Sequence, residues 1–196
     1  KIIIMINLKK DDQRKISAKK REALSFKNNT ASQILSNHLK NLINFDNYKT
    51  IASYISIKSE ISTNFLNEFI LYNNKILCLP VIKKNSETLI FRKYDLETKL
   101  IPGKFGIMEP SEINKELLPE IILTPCLAFD KNGFRLGYGG GYYDKTFFYL
   151  RNKKHKFITI AVAFDDQKVN EVVHGNYDQK INYILTEKEL YKVQWK

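Results

Sequence analysis

Five of the eight glycines in this 196-residue chain fall between Gly133 and Gly141, in the run GFRLGYGGGYYD. Glycine lets a backbone take positive φ and come close to a ligand. Where such a loop runs into a helix, the free N–H groups and dipole of the helix N-terminus favour an anion. Phosphate is the anion such loops commonly hold. There is no Gly-Lys-Ser/Thr ending, and Tyr142 stands where a G-x-G-x-x-G starting at Gly137 needs its last glycine. Neither recognised nucleotide loop is therefore matched, and a mobile turn is the plain alternative. Arg135, just ahead of the glycines, favours the phosphate reading because a guanidinium suits a phosphate.

Other residues around that loop carry chemistry of the same kind. Asp144 falls in the first turn of the expected helix, where a carboxylate is stabilised by the helix dipole. It is equally suited to Mg²⁺, an ion that takes one or two carboxylates together with phosphate oxygens and water. Asp178, in HGNYDQK, is either a second such carboxylate or a plain loop residue. Near the N-terminus, Lys10, Arg14 and Arg21 fall within an arc of about 40° on a helix that turns roughly 100° per residue. That makes one basic stripe, either a solvated face or a device to gather a polyphosphate. Glu60, in SIKSEIST, follows a strand and precedes a helix, at the sheet edge where open α/β proteins place ligands. Tyr138, Tyr142 and Tyr143 crowd the glycines, with Phe129 before them, and offer rings for stacking or for the core.

Elements must position these residues, and hydrophobic periodicity supplies them. A basic helix is expected from about residue 9 to 25. A capping box at Thr30 and Gln33 opens a second helix with Ile34, Leu35, His38, Leu39 and Leu42 on one face. Strands are expected over Thr50–Ile57, Lys75–Ile82, Thr88–Tyr94, Ile121–Asp130, Lys156–Phe164 and Ile181–Leu185, with helices over Thr63–Tyr72 and Tyr142–Arg151. Ile121–Asp130 is a continuous apolar run, as a strand buried on both faces requires. Strands alternating with helices imply an α/β protein with a largely parallel sheet.

Composition bounds the reading. With 43% hydrophobic residues the chain has material for one ordinary domain, taken as residues 1–196, and residues before about position 5 need not be native. No apolar run approaches the ~18 residues of a membrane span. The net charge of +11 would suit nucleic acid, but only five of the 32 basic residues are Arg, the usual reader of guanine. Cys78 and Cys126 each sit in an apolar run without ligand-spaced partners. They read as buried free thiols in a reducing, cytoplasmic setting.

Taken in order, KDDQRKISAKKREALS, YISIKSEIST, KILCLPVI, KFGIMEP, ILTPCLAFDKNGFRLGYGGGYYD, AVAFDDQ and NYDQKINYILTE resemble the 5-formyltetrahydrofolate cyclo-ligase family, collinearly over nearly the whole chain. The resemblance implies a three-layer α/β/α sandwich similar to sugar-phosphate isomerases and CoA transferases. The activity it implies converts 5-formyltetrahydrofolate and ATP, with Mg²⁺, to 5,10-methenyltetrahydrofolate, ADP and phosphate. It further implies that Lys10 and Arg14 contact ATP phosphates. The loop Arg135, Leu136, Gly137, Tyr138, Gly139, Gly140, Gly141, Tyr142 and Tyr143 would wrap ATP, with Lys10 and Arg135 catalytic. Asp144 and Asp178 would hold Mg²⁺. Ile55 and Glu60 would face the folate, with Tyr138 to Tyr142 bordering both ligands. Lys145, Tyr177, Asn182 and Gln13 depart from residues common in the family, where Arg, His, Asp and Leu respectively are usual.

On this reading the partners are 5-formyltetrahydrofolate, with or without a polyglutamyl tail, and ATP. Neither nucleic acid nor membrane is a partner, and the protein acts as a monomer. Two alternatives stand beside it: a basic nucleic-acid-binding module using the stripe and the RNKKHK run, or an isomerase or transferase on the same architecture that uses no ATP.

Overall fold

The computed structural model describes residues 2–27, 30–42 and 44–194. Its elements in chain order are helices α1 (Ile2–Lys27) and α2 (Ala31–Leu39), strand β1 (Thr50–Ala52), helix α3 (Asn64–Tyr72), and strands β2 (Ile76–Val81) and β3 (Ile90–Tyr94). Next come β4 (Leu100–Pro102), β5 (Met108–Pro110), β6 (Glu116–Leu117), β7 (Ile121–Pro125), β8 (Ala128–Phe129) and β9 (Arg135–Leu136). Helix α4 (Tyr142–Asn152) precedes β10 (Ile158–Val162), β11 (Tyr183–Leu185) and β12 (Leu190–Lys192).

One eight-stranded sheet runs β12-β11-β10-β7-β1-β2-β3-β6. Its central strands β11, β10, β7, β1 and β2 are parallel, while β12, β3 and β6 join antiparallel at the edges. Helices cover both faces. Leu35 and Leu39 of α2 and Leu66 and Ile70 of α3 share a core with Ile51, Leu123 and Ile160. On the other side Phe147 and Leu150 of α4 meet Ala52, Ile122 and Ala161. Strand β7 alternates between these two cores, which is why Ile121, Ile122 and Leu123 are apolar in succession. Among the described residues no helix is long and apolar enough to cross a membrane.

The expected α/β architecture stands, with five local corrections. The strand expected over Thr50–Ile57 stops at Ala52, and the chain then leaves the sheet to form a wall of the cavity described below. The run Ile121–Asp130 breaks at Pro125, which has no N–H to continue the ladder, and Ala128–Phe129 pairs instead with Arg135–Leu136 as a separate ribbon. Thr30 forms no capping box: its backbone is already helical (φ −97°, ψ −6°), so the hydroxyl cannot fold over the first turn. Ile34, placed on the apolar face, is 37% exposed, whereas Leu35 and Leu39 are fully buried. Helix α1 begins at Ile2, earlier than expected, while Lys1 lies outside the described residues. Cys78 and Cys126 are buried free thiols, as expected.

Candidate active site

Parallel strands deliver their carboxyl ends to one edge of the sheet, and there the molecule holds a cavity of about 740 Å³. Its walls include one face of α1, the segment after β1, the ends of β2 and β7, the hairpin β4–β5, the glycine loop with the start of α4, and Asp178.

Arg135 is the most constrained group in it. Its side chain is 3% exposed, with Cζ 5.5 Å from the ring centres of both Tyr143 and Phe147. Nη2 lies 3.3 Å from Asp144 Oδ1, yet neither Nε nor Nη2 has a hydrogen-bond partner among the described residues. A buried guanidinium left with open donors is costly unless an anion completes it. The glycine loop next to it is backbone-only in character. Gly139 takes φ +107° and Gly141, at the head of α4, takes φ +68° with no side chain capping the helix. The first N–H groups of α4 are thus left to a ligand.

Helix α1 supplies the cations. All three members of the basic stripe turn inward, which settles its reading against a solvated face. Lys10 Nζ lies 2.5 Å from Asp178 Oδ2. Arg14 Nε donates to the carbonyl of Gly137 (3.1 Å), tying the glycine loop to the helix. Arg21 is buried and donates to Ser59 Oγ (3.1 Å) and the Cys126 carbonyl (3.2 Å), with Nη1 3.7 Å from Glu60. Gln13 accepts from the Val173 amide and donates to the Glu171 carbonyl, which clamps the segment leading to Asp178 against α1.

Glu60 occupies the opposite wall. Its carboxylate accepts the Tyr138 hydroxyl at 2.6 Å and the Ile57 amide at 2.8 Å, and its side chain is 3% exposed. Burial pushes its carboxyl above the usual range, opposed by those two hydrogen bonds and by Arg21. Burial and the neighbouring Glu60 likewise push the Tyr138 phenol well up. Ile55 lines the same wall.

Asp144 and Asp178 both line the cavity. Each already serves the protein: Asp144 Oδ1 accepts the Gln179 amide at 3.0 Å, and Asp178 accepts Lys10 and the Gly175 amide. Among the described residues no group of three His, Cys, Asp or Glu gathers to cage a metal. Two carboxylates on the wall of one cavity are hard oxygen donors of the kind that fit an ion drawing its other ligands from phosphate and water, as Mg²⁺ does.

Lys10, Arg14, Ile55, Glu60, Asp144, Asp178 and the loop from Arg135 to Tyr143 therefore fall in one cavity, while Arg21 is buried beside Glu60 and Phe129 packs in the core. Others in the cavity were not singled out. Tyr54 lies in a run whose pattern indicates only a strand. Lys104 donates to Tyr142 Oη at 2.8 Å, and Phe105 stands edge-on to the Tyr142 ring at 6.4 Å. The signal for these two was IPGKFGIMEP, whose glycines permit the tight β4–β5 turn. Outside the cavity, Arg151 donates to Gln179 and the Lys180 carbonyl, and His155 to the Pro119 carbonyl, so two of the six RNKKHK residues serve the fold. His38 bonds the Glu187 carbonyl and His174 stacks on Phe134, so both are also engaged in structural contacts. Burial pushes the Cys126 thiol up to about 12, which leaves it no nucleophilic character.

Comparison with known proteins gives one answer. The model of the 5-formyltetrahydrofolate cyclo-ligase family matches residues 6–187. A 5-formyltetrahydrofolate cyclo-ligase of Haemophilus influenzae is 37% identical over 160 residues, 79% of this chain and 84% of that protein. One from Escherichia coli K12 is 31% identical over 149 residues, 73% of this chain and 80% of that one. The solved 5,10-methenyltetrahydrofolate synthetase of Aquifex aeolicus superposes with a TM-score of 0.78 at 30% identity, covering 94% of this chain and 93% of its own. That of Mycoplasma pneumoniae gives 0.70 at 25% identity, covering 91% and 98%.

Proposed function

The chain belongs to the 5-formyltetrahydrofolate cyclo-ligase family, and on that premise we propose how its own residues convert 5-formyltetrahydrofolate and ATP to 5,10-methenyltetrahydrofolate, ADP and phosphate. The observation that carries the assignment of roles is Arg135, a buried cation with two open donor nitrogens beside a glycine loop and an uncapped helix start.

The chemistry asks for such a site. A formamide oxygen is a poor leaving group and must first become a phosphate ester. The formyl oxygen attacks the terminal phosphorus of ATP, an O–P bond forms, and the bond to ADP breaks. The substrate's bridging nitrogen then adds to the activated carbon and loses its proton, and the C–O bond breaks to release phosphate. Such a transfer needs little covalent help from the protein but much alignment and charge neutralisation.

Arg135 and Lys10 neutralise the charge that develops on the transferred phosphoryl group, and Arg14 holds the loop from Arg135 to Tyr143 around the nucleotide. Asp144 and Asp178 would hold Mg²⁺, which when bound supplies further neutralisation of phosphate oxygens. Lys10 stands at Asp178 in the structure, within reach of the same phosphates. Ile55 and Glu60 receive the folate, and Tyr138 to Tyr142 lie between the two substrates.

The test is a near-ultraviolet absorbance assay for the methenyl product with 5-formyltetrahydrofolate, ATP and Mg²⁺, omitting each in turn. Product only with all three supports the reading. A folded protein that binds ATP and yields no product refutes it.

A further inference from the structure

Two residues on the cavity wall carry buried polar atoms without a hydrogen-bond partner among the described residues: Arg135, already assigned to phosphate, and Tyr54, whose Oη is left over. Tyr54 is 4% exposed. Its own carbonyl is gripped by the Thr63 hydroxyl at 2.6 Å and by Asn67 Nδ2 at 3.3 Å, so its backbone is pinned where the chain leaves β1. A buried tyrosine hydroxyl usually finds a partner, and a site that presents one without it resembles a half-made bond.

The neighbours say what would complete it. Glu60, Tyr138 and Tyr143 line the same cavity as Tyr54. Glu60 is paired with the Arg21 guanidinium, so this corner is close to neutral and takes an uncharged group. It accepts N–H donors at Glu60 and offers an O–H donor at Tyr54. Of the parts of a folate, the bicyclic heterocycle carries N–H groups and unprotonated acceptors side by side, away from its carboxylates.

We infer that the Tyr54 hydroxyl donates a hydrogen bond to an acceptor atom on the bicyclic end of the folate, beside the N–H groups taken by Glu60, and so fixes which way round the ring enters. This rests on the cyclo-ligase reading above. Burial and the Glu60 carboxylate hold the Tyr54 phenol well above its ordinary pKa, which keeps it a donor at every working pH.

Tyr54→Phe separates this role from a structural one, because the two predict opposite signs. Deleting an unpartnered hydroxyl leaves the melting temperature of the ligand-free protein unchanged or raised. Deleting a substrate contact shrinks the thermal shift given by 5-formyltetrahydrofolate and raises KM for it about three- to tenfold. KM for ATP stays within about twofold. A folate KM and thermal shift equal to the parent's overturn the inference. A lower melting temperature without ligand also overturns it, since the hydroxyl then has a structural partner. If the parent itself shows neither shift nor turnover with 5-formyltetrahydrofolate, the cyclo-ligase reading fails first and takes this inference with it.

Discussion

Arg135 is held by two aromatic rings and a carboxylate, with donor capacity to spare. Its replacement by Ala is expected to lower turnover at least about a hundredfold, the scale of removing a preorganised transition-state charge contact. Steady-state kinetics at saturating substrates checks this, and turnover within a few-fold of the parent would remove Arg135 from the mechanism. Glu60 gives a pH-dependent counterpart. A carboxyl whose folded pKa lies above its unfolded value binds more protons folded than unfolded. It therefore weakens the fold progressively as pH rises from the ordinary carboxyl range through the raised value. Glu60→Gln is expected to be more stable relative to the parent at about pH 7 than at about pH 4, read from urea midpoints. A difference independent of pH would mean that the Glu60 carboxyl titrates normally. At this scale the sequence was informative where a residue type has few uses, as with Arg135 among glycines. It was mute at Tyr54, where a tyrosine in an apolar run reads as core until its neighbours are in place.

Elements fix these groups by a few backbone bonds that no periodicity reveals. Gln167 is one such joint. Its Nε2 donates to the carbonyls of Cys126 (2.9 Å) and Leu127 (3.0 Å), and its Oε1 accepts the Phe164 amide (2.8 Å). It thereby ties the end of β10 to the bend between β7 and β8. Gln167→Leu strands three buried partners and is expected to cost about 2–4 kcal/mol, measured by urea unfolding. A loss under about 1 kcal/mol would show that the bend is held by other contacts. Gly139 is the matching backbone case: at φ +107° an Ala backbone is strained, although Arg14 Cζ, 3.5 Å from the point a Cβ would occupy, is only at ordinary contact distance. Gly139→Ala is expected to weaken ATP binding about tenfold or more by calorimetry, with strain of about 1–3 kcal/mol. The sequence displayed the parallel strands clearly because both faces of β7 are buried and apolar. The early end of β1 and the ribbon β8–β9 were hidden, since a strand that leaves the sheet keeps its apolar residues to line a cavity.

For the whole molecule, the charge of +11 acts on encounter more than on fold. Much of the basic face is solvated lysine, while Lys10 and Arg14 line the cavity and Arg21 is buried beside Glu60. An anionic nucleotide should be drawn in at low salt, so kcat/KM for ATP is expected to fall several-fold between about 0.02 and 0.3 M salt while kcat holds. A flat profile would mean that the surface charge plays no steering part. The total charge was legible from composition, but which cations turn inward was not, because that depends on Gln13, Asp178 and Gly137 arriving from distant parts of the chain.

The ion pair between Lys10 and Asp178 joins residues 168 positions apart. The proposed nucleotide and folate pockets would likewise each be assembled from early and late stretches of chain, so neither substrate would have a half of the protein to itself. A backbone break in the exposed turn at Ser111–Asn114 would give two pieces, each holding part of both pockets and able to turn over nothing alone. Catalysis would return only when the pieces recombine, which makes activity in such a fragment-complementation assay a direct count of reassembled molecules.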